Sequence, residues 1–330
     1  MLFDFALEPE LVSTWHDRKE FLFFDEKFGI KTRRIISAYP ENWSQKVWQA
    51  FRDGDYWQDQ NAKMRLGALM DHMKSYMGTR QDSSWEIESW LERTIAEHQK
   101  KPFHGIISKR NPTENDKVIE VSTLIEEGHE SWNIPEDILV KRDAGKFTNA
   151  VAPILKLCSQ FVFIDPYFNP EKVRFNEPLD EFLNIIWNQR CVMGAPKIEL
   201  HISIDTHFQP YEKWSNRNPT EERKVCKHLI RSMQAELPKI IPKGGSVFVT
   251  IWSQIEHGEK LHNRYILTDI CLLLFPTGLD QANTSQDNET DDLTLLSSKQ
   301  RDKRWQHYKG SPPAFNCLVD SLEVFGNKNI

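Results

Sequence analysis

The sequence lacks the short motifs of the common phosphate and metal chemistries: it has no P-loop, no dinucleotide fingerprint and no zincin pair. It also lacks an excess of positive charge. Lys and Arg number 42 against 48 Asp and Glu, for a net charge of -6 and a pI near 6.0. No global positive field therefore draws the protein onto nucleic acid or an anionic membrane, and any phosphate binding must be local. Paired cysteines are missing too. Cys158, Cys191, Cys226, Cys271 and Cys317 are scattered singly, which excludes a disulfide framework and a cysteine-built zinc site and predicts buried thiols in a reducing compartment. No apolar run approaches the length of a membrane span, and the acidic start MLFDFALEPE does not read as a signal peptide, so a cytoplasmic protein is expected.

At 330 residues and 39% hydrophobic content, the chain is expected to form two domains. In the first part, FLFF (Phe21 to Phe24), RIISA (Arg34 to Ala38) and FHGIIS (Phe103 to Ser108) read as strands. Between them, Trp43, Val47, Trp48 and Phe51 share one helical face, and Ser83 with Glu86 makes a capping box ahead of Ile87, Trp90, Leu91 and Ile95. This helix-rich α/β region, residues 1–141, ends at a boundary placed near Lys141. Its role is not legible.

Residues 142–330 follow a regular order. A helix carrying Phe147, Val151, Ile154, Leu155 and Cys158 precedes the strand FVFID, where Pro166 keeps Asp165 extended. A helix through Leu179, Phe182, Leu183, Ile186 and Trp187 comes next. KIELHISID then alternates, with Ile198, Leu200, Ile202 and Ile204 on one face and Glu199, His201, Ser203 and Asp205 on the other. Asn218, Pro219 and Glu221 open a helix that buries Val225, Leu229 and Met233. Strands SVFVTIW, LHNRYILT and CLLLF follow, which together predict an α/β sheet with helices on its faces. Residues 282–314 are expected to be a polar loop, mobile over Ala282 to Asp292, with a basic aromatic stretch RDKRWQHYK near its end.

The run HNRYILTD concentrates the chemistry. On a strand, His262 and Arg264 leave the same face, with Asp269 at the strand's end. Imidazole can attack phosphorus to give a phosphohistidine, and a guanidinium can neutralise the oxygens as charge builds on them. The spacing resembles the HxKxxxxD motif of the phospholipase D superfamily, with arginine in the lysine position. A closer similarity is to the phospholipase-D-like C-terminal domain of MIT-domain-containing proteins and its stand-alone prokaryotic relatives. There a DPY-type strand end, an HxR motif and a later GLD follow in order, matched here by Asp165, Pro166 and Tyr167, by His262 and Arg264, and by Gly278, Leu279 and Asp280.

That resemblance covers roughly the last half of the chain. It implies a phospholipase D-like mixed sheet flanked by helices and a metal-independent phosphodiesterase or nuclease with His262, Arg264 and Asp269 as catalytic residues. Asp165, Tyr167, His201, Gly278 and Asp280 then bind phosphate or support the site. No cofactor and no metal is expected; His207 near Asp205 lacks a third ligand. Active members bring two such motifs together, so a homodimer pairing His262 with its symmetry mate is implied; His201, which shares a strand face with Ser203 and Asp205, reads first as part of a simple polar face and second as an intrachain second histidine. Prokaryotic kinship implies antiviral defence against foreign DNA. The alternative is a non-catalytic dimeric module binding the phosphates of nucleic acid or acidic lipid, with nucleic acid favoured; arginine for lysine, and GLDQ where active enzymes carry a GSxN-type turn, point that way. A third reading makes the C-terminal part a scaffold and leaves the activity to the N-terminal part.

Overall fold

Asp17, Asp59 and Ser89 cap helices of the N-terminal unit in a computed structural model that describes residues 1–80, 88–126, 129–134, 138–208, 218–283 and 288–329. The chain divides into two units, Leu2–Glu136 and, with Met1, Asp137–Ile330.

In the first unit the order is β1 (Phe3–Leu7), α1 (Pro9–Val12), α2 (Arg18–Lys27), β2 (Arg34–Ala38), α3 (Trp43–Asp53), α4 (Gln60–Met73), β3 (Met77–Thr79), α5 (Trp90–Lys100), β4 (Gly105–Ser108), β5 (Val118–Glu120) and α6 (Val121–Glu126). Among the described residues its strands pair in parallel, in the order β3-β2-β1-β4-β5. Successive β1 residues face opposite sides. Ala6 packs with Ile106, Val118 and the α5 residue Trp90, while Phe5 meets Phe28 and Trp132 edge-on at 6.0 and 5.4 Å. Two core tryptophans also have their polar atom placed: Trp43 Nε1 donates to the Leu7 carbonyl (2.6 Å) and Trp90 Nε1 to that of Tyr39 (2.8 Å).

RIISA and GIIS are strands as expected, and Trp43, Val47 and Phe51 are buried on α3. FLFF is not a strand. It lies inside α2, which Asp17 caps by accepting the N–H groups of Lys19 and Glu20, and only Phe24 is buried, stacked on Trp15 at 3.9 Å. A four-residue apolar run does not by itself separate strand from helix, and here the cap decides. The Ser83 and Glu86 capping box lies outside the described residues; α5 is capped by Ser89 instead.

The second unit contains β6 (Ile138–Lys141), α7 (Ala144–Leu155), β7 (Gln160–Ile164), α8 (Val173–Asn188), β8 (Lys197–Ser203), α9 (Pro219–Glu236), β9 (Ser246–Ser253), β10 (Tyr265–Thr268), β11 (Leu272–Leu274), β12 (Thr290–Leu295), α10 (Ser298–Lys309) and β13 (Asn316–Phe325). These strands make one mixed sheet in the order β13-β9-β8-β7-β10-β11-β12-β6, parallel from β7 through β9 and antiparallel elsewhere. Phe163 stacks on Phe182 of α8 (5.8 Å), and Phe275 meets Phe147 of α7 (5.5 Å) on one side. The neighbours of Phe163, Val162 and Ile164, turn to the other side, where they pack with Trp252, Leu267 and the α10 residues Trp305 and Tyr308. The unit is thus a mixed α/β sheet flanked by helices.

Two boundaries move. β6 pairs with β12, so residues 138–141 belong to the second unit, and the division falls ahead of Lys141. The expected polar loop 282–314 instead contains β12 and α10. Within β12 the inward residues are Asp291 and Leu293, and Asp291 is held by the backbone N–H (3.3 Å) and hydroxyl (2.7 Å) of Thr277, so a buried aspartate masked the strand alternation. The RDKRWQHYK stretch is an α10 face whose charges bond within the fold: Arg301 to the Asp269 carbonyl, Arg304 to Glu259 and Lys309 to Glu199.

Candidate functional site

β7 and β10 run antiparallel with Tyr265 opposite Ile164. The residues that follow β7, Asp165 to Tyr167, therefore meet those that precede β10, His262 to Arg264. Because β11 returns antiparallel with Leu274 opposite Tyr265, the turn from Pro276 to Asp280 comes to the same corner. His262 and Arg264 thus stand in the approach to β10 rather than on it, the strand beginning only at Tyr265.

Asp165 binds this corner together. Its fully buried carboxylate accepts the Tyr167 N–H at 2.9 Å and the Leu279 N–H at 3.1 Å. Burial pushes its pKa up to about 6; the two N–H groups and Arg264 pull it down, and Asp280 pushes it up. Gly278 has φ +135°, and a Cβ there would collide with the Asp280 carboxylate. Asp280, itself buried, is gripped by two guanidinium groups: Arg142 at 3.0 Å, and Arg174 in a close ion pair. Arg142 also holds Glu289 at 2.7 Å, and Arg174 reaches Asn283 at 2.5 Å. Asp280 is therefore a pin for the turn. No sequence pattern marks Arg142 and Arg174, whose partner lies more than a hundred residues away along the chain.

Tyr167 carries the open side of the site. Its ring is 40% exposed, its hydroxyl lies 3.5 Å from Nδ1 of the exposed His262, and the Arg264 guanidinium sits 4.5 Å from the ring centroid. Arg264 donates through Nη1 to the Pro276 carbonyl at 3.1 Å, while its Nε is buried without a hydrogen bond. Among the described residues no carboxylate forms an ion pair with Arg264. A half-exposed guanidinium, a tyrosine hydroxyl and an imidazole lie together, which is a donor set for an oxyanion.

Two expected site residues are elsewhere. Thr268 pairs with Phe161, so Asp269 lies at the opposite end of β10, where its carboxylate accepts the Ser159 hydroxyl (2.5 Å) and N–H (3.1 Å) and clamps the start of β7. A strand's length separates it from His262, which excludes direct contact. His201 sits mid-strand opposite Ile164 and Thr250, only 2% exposed. There it bonds Glu199 (3.0 Å) and accepts from Trp252 Nε1 (3.1 Å) beneath Tyr308. The polar face of β8 is thus covered by α10. Lys309 and His201 hold the Glu199 carboxyl down to about 2 despite its burial, and the His201 pKa is lowered by desolvation against the pull of Glu199.

Among the described residues no group of three or more His, Cys, Asp or Glu side chains is arranged to hold a metal ion, and no helix is long and apolar enough to cross a membrane. No protein-family model matches the sequence, and no curated protein matches it. Among solved structures, the chain is similar to that of TrmBL2, an archaeal chromatin protein whose structure shows a novel mode of DNA binding. The identity is 7% and the TM-score 0.26 over 78% of this chain and 71% of that one, too slight a likeness to bear on fold or function here.

Proposed function

We propose that the second unit is a phosphodiester-binding module of phospholipase D-like ancestry that grips the backbone of a nucleic-acid strand. The observation that carries this reading is Arg264, a half-exposed guanidinium without a carboxylate partner among the described residues, stacked on the exposed ring of Tyr167. An arginine can bind a phosphate bidentately, and an aromatic ring beside it offers a base a surface to stack on. The preference for nucleic acid over lipid rests on that ring.

The test is fluorescence anisotropy of labelled single-stranded DNA and RNA with the pure protein in EDTA, alongside Arg264→Gln and Tyr167→Ala. Binding that weakens about tenfold or more in each variant is expected. Binding unchanged in Arg264→Gln overturns the reading. Anionic vesicles in the same assay distinguish lipid, and retention on vesicles without binding to either strand would also overturn it.

A second reading is favoured by one feature. The Tyr167 hydroxyl lies on the Nδ1 side of His262, which leaves Nε2 directed away from it and suited to attack phosphorus. A metal-independent phosphodiesterase would then be completed by His262 of a second copy acting as general acid. Cleavage of the labelled strands in EDTA, abolished by His262→Ala with binding retained, selects this reading over the first.

A further inference from the structure

The N-terminal unit has a cleft of its own. From β1 the chain crosses to β2 and β3 on one side, and it returns through β4 on the other. The connections after β1 and β4 therefore diverge, and such a switch point opens a crevice beyond the strands' carboxyl ends. A cleft of about 350 Å³ lies there, within the range of small-molecule sites. Its wall comes from the turn Ser13–His16 and Asp17 after β1, from the end of α3 with Tyr56, from Arg65 on α4 and from Lys109 after β4.

Several of these groups are already engaged. Asp17 caps α2, Glu20 accepts the Thr14 hydroxyl at 2.6 Å, and the Glu8 carboxylate beside the cleft accepts the Lys109 N–H at 2.6 Å. Others are not. His16 is only 8% exposed, its ring 5.3 Å from Phe51 and 4.4 Å from Tyr56, yet its imidazole makes no hydrogen bond with any described residue while it lines the cleft. An imidazole on the cleft wall with no hydrogen-bond partner among the described residues can donate to or accept from a molecule that enters. Arg65 uses Nε on the His16 carbonyl at 2.6 Å, and neither its terminal nitrogens nor the Lys109 ammonium forms an ion pair among the described residues. The Tyr56 ring is 54% exposed. The groups left open are thus two cations, one imidazole and one aromatic face. With the Asp17 and Glu20 carboxylates on the same wall, the complement of these open groups is a single anionic group, held at Arg65 and Lys109, joined to a planar ring.

We propose that this cleft binds a nucleoside monophosphate, with Arg65 and Lys109 supplying charge to the phosphate, Tyr56 facing the base and His16 hydrogen-bonding the ligand. The connection after β1 reads LEPELVS and has no glycine, so a backbone cradle of the dinucleotide-binding kind is absent and side chains carry the phosphate. None of its lining residues belongs to the Arg264 corner.

Calorimetric titration of the full chain with AMP, GMP, CMP and UMP, and separately with adenosine and inorganic phosphate, tests it. At least one nucleotide is expected to bind in the micromolar range and more tightly than either fragment. The double variant Arg65→Gln, Lys109→Gln, which also removes the Arg65 bond to the His16 carbonyl and is therefore checked for an unchanged melting curve, should weaken it about tenfold or more, while Arg264→Gln leaves it unchanged. His16→Gln, checked for an unchanged melting curve, should weaken it as well. No nucleotide binding to the wild type overturns the proposal. So does binding indifferent to the double variant, binding lost only with Arg264→Gln, or inorganic phosphate binding as tightly as the nucleotide.

Discussion

The carboxylate of Asp165 accepts a hydrogen bond from the backbone of Leu279, 114 residues further along the chain, while its other oxygen holds Tyr167 two residues away. One buried group thus ties the strand end that presents Tyr167 to the turn that Arg264 leans on. Any treatment that loosens this carboxylate should disturb folding and ligand binding together.

The pKa of Asp165 gives that coupling a pH dependence. Its folded value of about 6 lies above the ordinary 3.8. A raised value means that the folded state binds the proton more tightly, so the contribution to stability is fully present below about pH 4 and is lost as the pH rises through 6. The difference amounts to about 2 to 3 kcal/mol. Asp165→Asn, which stays neutral, should gain that amount relative to wild type between pH 4 and 7 when urea unfolding is followed at both. Parallel stability curves for the two proteins would show that Asp165 is not the titrating group.

Asp280 predicts a larger effect. Removing it leaves the buried Arg142 and the half-buried Arg174 without their shared carboxylate. Breaking a buried pair from one side costs about 3 to 5 kcal/mol, so Asp280→Ala should lower the urea midpoint sharply. Asp280→Ala combined with Arg174→Gln should recover part of the loss, since one stranded charge is gone. A double variant no more stable than the single one contradicts the shared-pin arrangement.

Exchanging Arg264 for lysine separates charge from shape. The shorter-headed lysine ammonium would keep a cation beside Tyr167 but lose the planar stack and the bidentate fork. Strand binding should weaken about threefold to tenfold in Arg264→Lys, less than in Arg264→Gln, with the salt dependence of binding nearly unchanged only in the lysine variant. Equal losses in both would mean that charge plays no part there.

Much of this corner was legible because it is local. Asp165 before Pro166, the HxR spacing and the GLD turn are each short patterns, and strand pairing brings them to one end of the sheet. What failed to show is what depends on distant partners. Arg142 and Arg174 look like ordinary surface cations until the fold delivers Asp280 to them. Asp291 hid a strand because its inward side chain is satisfied by Thr277 rather than by being apolar. The motif spacing makes Asp269 a site residue while its place at the strand's end makes it a structural one, and the direction of β10 decides for the second, carrying it to the far end against Ser159. The Phe21 to Phe24 run misled for the opposite reason: its apolar content was local, but the Asp17 cap upstream set the helix.

His201 makes the sharpest contrast between pattern and place. On the sequence it shares a strand face with Ser203 and Asp205, the arrangement wanted of a second catalytic histidine. In the fold that face lies beneath α10, and the ring is held by Glu199 on one side and Trp252 on the other. Substituting it should therefore affect stability and leave the corner's chemistry alone. His201→Ala removes two buried hydrogen bonds and leaves a cavity against Tyr308, a loss of about 2 to 4 kcal/mol in urea unfolding. At a temperature where the variant remains folded by circular dichroism, its affinity for labelled strands should equal that of wild type. Loss of binding or of cleavage in a folded His201→Ala protein would restore His201 to the functional site and reject the structural role argued from its partners.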